Sequence, residues 1–250
     1  MSEKNVSKIP AYSSFVYGDR YNSLTASETL DTRFSARLRT FFQYDTLVSA
    51  ALRNIKMNQS VLQLGLVYGD EIDQVAQTVG AYGQFDVIDV NPFQVSRNQE
   101  KYGSIYPCLH IFEQDAAGLK IQKQYDVVLC FLLLQELPVV TKMKVINNAL
   151  NAVKDGGCAI FIDYHNPLYW HPLRYVVRMY NRLRHPFAEK LWDREIDTFA
   201  KNKIDFVWHK STYFGRMFQK VVATRKNNIK EVALTEAQQQ SLEDYFLPDF

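Results

Sequence analysis

The chain has 250 residues, 47% of them hydrophobic, and a formal net charge of +2. It can bury a sizeable core, but its charge is too slight to hold nucleic acid, which needs many phosphate-neutralising cations on one face. No uncharged apolar run, the longest being Val127 to Leu134, approaches the roughly 20 residues of a membrane helix, so no span is predicted.

Residues 1–10 carry Glu3, Lys4 and Lys8 with no apolar stretch behind them, which predicts no secretory signal and a cytoplasmic location. From Glu28 to Ile55 apolar positions (Phe34, Leu38, Phe41, Phe42) alternate with basic ones (Arg33, Arg37, Arg39) without Gly or Pro. That pattern predicts one continuous helix and an N-terminal helical extension over 1–55. Residues 56–226 then show short apolar runs closed by Gly, Asp or Asn and separated by helix-length segments. The runs are Ser60 to Leu64, Gln84 to Asp89, Leu109 to Phe112, Tyr125 to Leu134 and Cys158 to Tyr164. Helices are predicted over Asp70 to Val79, Pro92 to Tyr102 and Val139 to Val153, with a turn at Lys154-Asp155-Gly156-Gly157. A helical insertion is expected over 165–203, and Asp205 to Lys210 with Met217 to Thr224 reads as an antiparallel hairpin. The tail, 227–250, is polar with a Thr235-x-x-Gln238 capping box. The predicted fold is therefore α/β, a doubly wound, mostly parallel, Rossmann-like seven-stranded sheet with a terminal antiparallel hairpin. Cys108, Cys130 and Cys158 are odd in number and scattered, as reduced structural thiols would be, and no zinc-ligand spacing occurs.

In such a sheet the ligand lies beyond the carboxyl ends of the strands, and the first strand-to-helix turn must let the backbone come close to it. Gly65 and Gly69, with Tyr68 between them, occupy that turn. Asp89 ends the second strand, where a carboxylate can accept hydrogen bonds from both hydroxyls of a ribose. Asp115, in Glu113-Gln114-Asp115-Ala116, follows the third strand and is placed to receive the exocyclic amine of adenine. The G-x-G-x-x-G spacing of a dinucleotide site is missing, and Asp70 would face a pyrophosphate with like charge. A sulfonium cofactor carries no phosphate, so S-adenosylmethionine (SAM) is the expected cofactor, with Val67 standing where its usual loop has a middle glycine.

Val67-Tyr68-Gly69-Asp70, Asp86-Val87-Ile88-Asp89-Val90, Phe131-Leu132-Leu133-Leu134-Gln135-Glu136, Asp163-Tyr164-His165-x-Pro167, His171-Pro172-Leu173 and Trp208-His209-Lys210 together carry a family likeness. Over about residues 45–226 the chain resembles class I SAM-dependent methyltransferases, and among them the rhodoquinone-biosynthesis family of methyltransferase-like proteins. The resemblance implies SAM contacts from Gly65, Tyr68, Gly69, Asp89, Val90, Asp115, Ala116 and Phe131. It further implies an enzyme that exchanges a methoxy group of ubiquinone for an amine, with SAM as amino donor and a manganese ion assisting. The chain departs from the family in having Gln135 where a His commonly precedes the Glu.

Strand five delivers Tyr164 and His165 to the cofactor edge as candidate catalytic residues, joined by His171. His165 can act as general base, or bind a metal together with Asp163; its alternative task is to cap the next helix. In the insertion Leu173, Val176, Val177, Tyr180 and Leu183 fall at helical spacing while Arg174, Arg178 and Arg182 form a basic stripe. Such a helix packs on the core with a solvated basic face, or rests on the inner face of the membrane with Tyr169 and Trp170 at headgroup level. Besides quinone amination, conventional methyl transfer to a quinone, phenol or other lipophilic molecule remains open, as does an idle metabolite-binding protein. Methylation of nucleic acid is disfavoured because no Asn-Pro-Pro-Tyr motif occurs.

Overall fold

The computed structural model describes residues 32–184, 187–192 and 194–226. The expected tail over 227–250 and residues 1–31 of the expected extension lie outside them. Helices α1 (Arg33–Arg39) and α2 (Tyr44–Leu52) stand where one helix was predicted. The break is made by Phe41 and Phe42, whose φ angles are 51° and 63°, with the Phe42 N–H donating to the Arg37 carbonyl at 2.6 Å. Apolar periodicity is blind to such a left-handed pair. Arg33 and Arg37 of α1 both reach the Asp45 carboxylate on α2, and the fold-back turns Tyr44 wholly into the core.

The doubly wound unit follows: β1 (Ser60–Leu64), α3 (Glu71–Val79), β2 (Gln84–Asp89), α4 (Pro92–Tyr102), β3 (Leu109–Glu113), β4 (Tyr125–Phe131), α5 (Val139–Ala152) and β5 (Val153–Tyr164). After α6 (Arg174–Arg184) the chain closes with β6 (Phe206–Tyr213) and β7 (Phe218–Arg225). The seven strands lie in the order β3-β2-β1-β4-β5-β7-β6. β1 to β5 are mutually parallel, and β7 runs antiparallel between β5 and β6. Strand order reverses between β1 and β4, so a crevice opens at their carboxyl ends.

Period-two alternation sends Val61, Val127, Leu129 and Ile160 to the face covered by α2, α3 and α4, and Leu62, Val128, Ala159 and Phe161 to the face covered by α5. Two strand boundaries and one helix face differ from those predicted. β4 stops at Phe131 because Leu132 takes a φ of 53° and Leu134–Glu136 closes a 3-10 turn. β5 begins at Val153, directly from α5, and its register against β4 jumps between Tyr125 and Val127, so the expected turn 154–157 is a bulge in the strand with Gly156 at φ 77°. In α6 the predicted apolar face is divided: Val177 is buried, Leu173 and Tyr180 are half-buried, and Val176 is exposed.

Helix α3 begins at Asp70, whose side chain makes no capping bond. The Tyr44 hydroxyl serves instead, accepting the Asp70 N–H at 3.0 Å. Gly69 is held at φ 130°, and a methyl group there would overlap that same hydroxyl. Tyr44→Phe, which leaves a buried N–H without its acceptor, should cost about 1–2 kcal/mol. Gly69→Ala, which adds backbone strain to a clash, should cost about 2–3 kcal/mol. Urea unfolding of the two variants measures both.

Candidate functional site

The Asp89 carboxylate ends β2 and joins two loops. Its Oδ2 accepts the Leu66 N–H of the β1–α3 turn at 2.7 Å, and its Oδ1 accepts the Asn91 N–H at 2.7 Å. Asn91 in turn caps α4, its side-chain oxygen accepting the Phe93 N–H at 3.0 Å ahead of Pro92 in the first turn. Burial pushes the Asp89 carboxyl up to about 6, while the amides of Leu66, Asn91 and Val90 pull it back. Gly65, at φ 86°, carries the β1 backbone past this carboxylate, its N–H donating to the Ile88 carbonyl at 2.8 Å.

A cleft opens beside these groups, lined by Gly65, Ile88, Asp89, Val90, Gln114, Ala116, Leu133, Leu137 and Val145. Gly65, Asp89, Val90 and Ala116 are thus brought together as the sequence places them. Ile88, Gln114, Leu133, Leu137 and Val145 come in addition; Leu133 and Leu137 sit in the loop after β4, whose apolar run was read as strand. Asp115 is not among the lining residues: its Oδ1 accepts the Ala117 N–H at 2.8 Å and caps a 3-10 turn. Phe131 is not either, because its ring is fully buried edge-on to Tyr44, 6.4 Å between centroids. Tyr68 stands on the other side of the loop, its hydroxyl accepting from Gln94 at 2.7 Å and its ring under the Arg39 guanidinium at 4.8 Å.

At the same carboxyl edge, Tyr164 at the end of β5 faces residues from four other elements. Its hydroxyl donates to the Arg39 carbonyl at 2.8 Å, its ring lies 4.7 Å from that of Phe218, and Tyr180 and Glu136 are close enough to act on it electrostatically. Burial raises its phenol far above the ordinary range, so Tyr164 stays neutral, with its proton held by the Arg39 carbonyl. Phe41 meets Tyr180 edge-on at 6.1 Å. Tyr68, Tyr164, Tyr180, Phe41, Arg39 and Glu136 thus form an aromatic cluster at the carboxyl edge; Arg39, Phe41 and Glu136 escaped the sequence because α1, the β4 loop and α6 meet only in three dimensions.

The two histidines are used structurally. His165 Nδ1 lies 3.1 Å from the Arg216 carbonyl and 3.2 Å from that of Asn166, so this nitrogen carries the proton. Its Nε2 accepts from the Lys210 ammonium at 2.9 Å. Burial and the neighbouring Lys210 charge depress its pKa. Neither nitrogen is left for a metal or a substrate proton: His165 ties β5 to the β6–β7 hairpin. His171 Nδ1 accepts the Leu173 N–H at 3.2 Å, and its ring lies against Phe214 and over Gly215, so His171 rather than His165 steadies the start of α6.

Asp163 is also drawn inward. Its carboxylate accepts the Tyr164 N–H at 2.8 Å and the Gln135 N–H at 3.2 Å, with burial raising its pKa and the buried Lys142 ammonium pulling it down. Asp163 and His165 therefore do not form a ligand pair, and among the described residues no group of three or more His, Cys, Asp or Glu could hold a metal ion. The expected manganese does not fit these residues. Gln135 is buried too, its amide donating to the Leu132 carbonyl at 3.2 Å.

Residues 61–157, which span β1 to the bulge of β5, match the model of a methyltransferase domain. Solved structures of the same fold include a SAM-dependent methyltransferase from Aquifex aeolicus (15% identity, 80% of this chain and 97% of that one, TM-score 0.56). An O-methyltransferase family protein from Burkholderia thailandensis superposes over 86% of this chain and 64% of that one, with 14% identity and a TM-score of 0.64. An N-methyltransferase from Haemonchus contortus, solved with phosphomonomethylethanolamine and S-adenosylhomocysteine, does so over 87% and 61%, with 12% identity and a TM-score of 0.66. No curated protein matches the sequence significantly. The chain thus shares the fold of these methyltransferases, and its segment 61–157 matches a methyltransferase domain.

The lining is chemically suited to SAM, with the apolar side chains of Ile88, Ala116, Leu137 and Val145 for adenine, the Asp89 carboxylate for the ribose, and Gly65 where the β1–α3 turn lets the backbone come close. The ribose hydroxyls would donate to both oxygens of an ionised Asp89, and protonation turns one of those acceptors into a donor. With the carboxyl at about 6, SAM affinity should be level above about pH 7 and fall below pH 6, approaching tenfold per unit. Asp89→Ala should weaken binding by about 10- to 100-fold and flatten that profile. Calorimetric titration with SAM between pH 5 and 8 tests both.

Proposed function

We propose that the protein transfers a group from SAM to a small, lipophilic aromatic acceptor of the quinone or phenol class. The observation that supports this is the cluster of Tyr68, Tyr164, Tyr180 and Phe41 at the carboxyl edge that also carries Asp89. Its rings are uncharged, with Arg39 and Glu136 as the polar exceptions, and flat aromatic faces favour stacking with a flat ring.

The finer proposal is that ubiquinone is the acceptor: the SAM amine forms a ring C–N bond, the ring C–O bond breaks and methanol leaves, and the SAM Cα–N bond then breaks by elimination with loss of a Cβ proton, leaving rhodoquinone and an unsaturated remnant of SAM. The resemblance carried by Asp163-Tyr164-His165 and His171-Pro172-Leu173 supports it. A second reading, conventional methyl transfer, is favoured by one specific observation: Asp163 and His165 make no metal site. Methyl transfer needs none, since an acceptor oxygen attacks the sulfonium methyl group, its C–S bond breaks, and S-adenosylhomocysteine leaves.

Expression in a bacterium that makes ubiquinone but no rhodoquinone, followed by mass spectrometry of the quinone extract beside an Asp89→Ala control, separates the two. An aminated quinone in wild-type cells alone is the expected result. A methylated product alone would assign the second reading, and an unchanged extract from well-expressed protein would remove quinones as acceptors.

A further inference from the structure

The insertion carries more apolar surface than the aromatic cluster uses. Leu173, Val177 and Tyr180 form the inner stripe of α6, at i, i+4 and i+7, and face the protein. Tyr175, Val176 and Met179 form a second stripe on the outer side, where Tyr175 is 78% and Met179 62% exposed. Just ahead of the helix Tyr169 and Trp170 stand out at 82% and 63%. One exposed apolar side chain needs no explanation, but five between positions 169 and 179 do.

Arg182 is exposed on α6, and the sequence from Tyr164 through Arg184 holds Arg174, Arg178, Arg182 and Arg184 but no Asp or Glu, in a chain whose net charge is only +2. Helix α1, joined to α6 through the Phe41–Tyr180 contact, likewise exposes Phe34 and Leu38. Exposed aromatic side chains in a segment whose only fixed charges in sequence are arginines complement a headgroup layer: Arg182 meets lipid phosphate, while Trp and Tyr rest at the boundary of headgroup and acyl chain.

We propose that the outer face of α6, with Tyr169 and Trp170, docks on the surface of an anionic bilayer. The same helix contributes Tyr180 to the aromatic cluster, so docking would bring that cluster close to the lipid from which a lipophilic acceptor comes. That last consequence rests on the function proposed above; the docking does not.

The test is co-sedimentation of the full chain with vesicles of phosphatidylcholine alone or mixed with phosphatidylglycerol, with SAM binding measured on every variant as a check of folding. The expected result is salt-sensitive binding to the anionic vesicles only. Arg182→Glu, which replaces an attracted charge by a repelled one, should weaken it by about thirtyfold, and Trp170→Ser combined with Met179→Asp should abolish it while SAM binding is kept. Failure to bind either vesicle overturns the proposal, as does equal binding to both with Arg182→Glu indifferent. A dimer lost in Met179→Asp without vesicle binding would assign the surface to a second copy of the chain, and RNA retention lost in Arg182→Glu without vesicle binding would assign it to nucleic acid. Vesicle binding by a protein that leaves every quinone unchanged would sink the acceptor reading and leave the docking intact.

Discussion

The Asp89 carboxylate is buried at the end of β2, and each of its oxygens accepts a backbone N–H at 2.7 Å, one from the β1–α3 turn and one from the start of α4. Taking a carboxylate out of water costs several kcal/mol, and the amides of Leu66, Asn91 and Val90 offset only part of it, which is why the carboxyl settles near 6 rather than in the ordinary range. In return the two loops are fixed against each other, and the mouth of the cleft takes its shape from that bond. Val67 is tolerated for the same reason. Gly65 and Gly69 hold the positive φ angles in the turn, whereas Val67 has none, so the position of the middle glycine makes no conformational demand here.

A second constraint lies in the break between α1 and α2. Two successive non-glycine residues in the left-handed region cost about 1–2 kcal/mol each, and the arrangement persists because of what the turn delivers. Tyr44 enters the core, contributing about 2–3 kcal/mol of burial, and its hydroxyl satisfies the N–H at the head of α3. From the same turn the Arg39 carbonyl receives the Tyr164 hydroxyl, the Arg39 guanidinium covers Tyr68, and Phe41 meets Tyr180. One strained corner therefore supports both the cofactor turn and the aromatic cluster.

The parts legible in the sequence are those whose geometry is local. β1 and β2 were readable to the residue because apolar runs end in Gly65 and Asp89, and the cleft residues Gly65, Asp89, Val90 and Ala116 follow from the rule that loops at the carboxyl ends of parallel strands share one crevice. What was not legible depends on partners far along the chain. His165 and His171 looked available for chemistry because their partners, Lys210, the Arg216 carbonyl and the space over Gly215, belong to a hairpin some 45 residues away. The kink at Phe41 and Phe42 was hidden for a different reason: helical periodicity continues across it, and only the burial of Tyr44 decides the matter. Phe131 was misplaced because strand alternation turns it to the α2 face while its neighbours in the β4 loop turn to the cleft.

Asp163 shows how a residue can shape a site without touching what binds there. Its carboxylate holds the Gln135 N–H within the loop that carries Leu133 and Leu137, both of which line the cleft. Lys142, wholly buried on α5, balances the charge from below, and its ammonium donates to the Phe187 carbonyl at 3.2 Å. Removing either partner would leave the other as an uncompensated buried charge, the costly case for such pairs. The pair thus joins three things: the end of β5 that presents Tyr164 to the aromatic cluster, the loop that walls the cofactor cleft, and, through Phe187, the segment that follows α6. A metal at Asp163 would compete for the oxygens that hold this arrangement, so the geometry that makes Asp163 unsuitable as a ligand is the geometry that keeps cleft and cluster at one sheet edge.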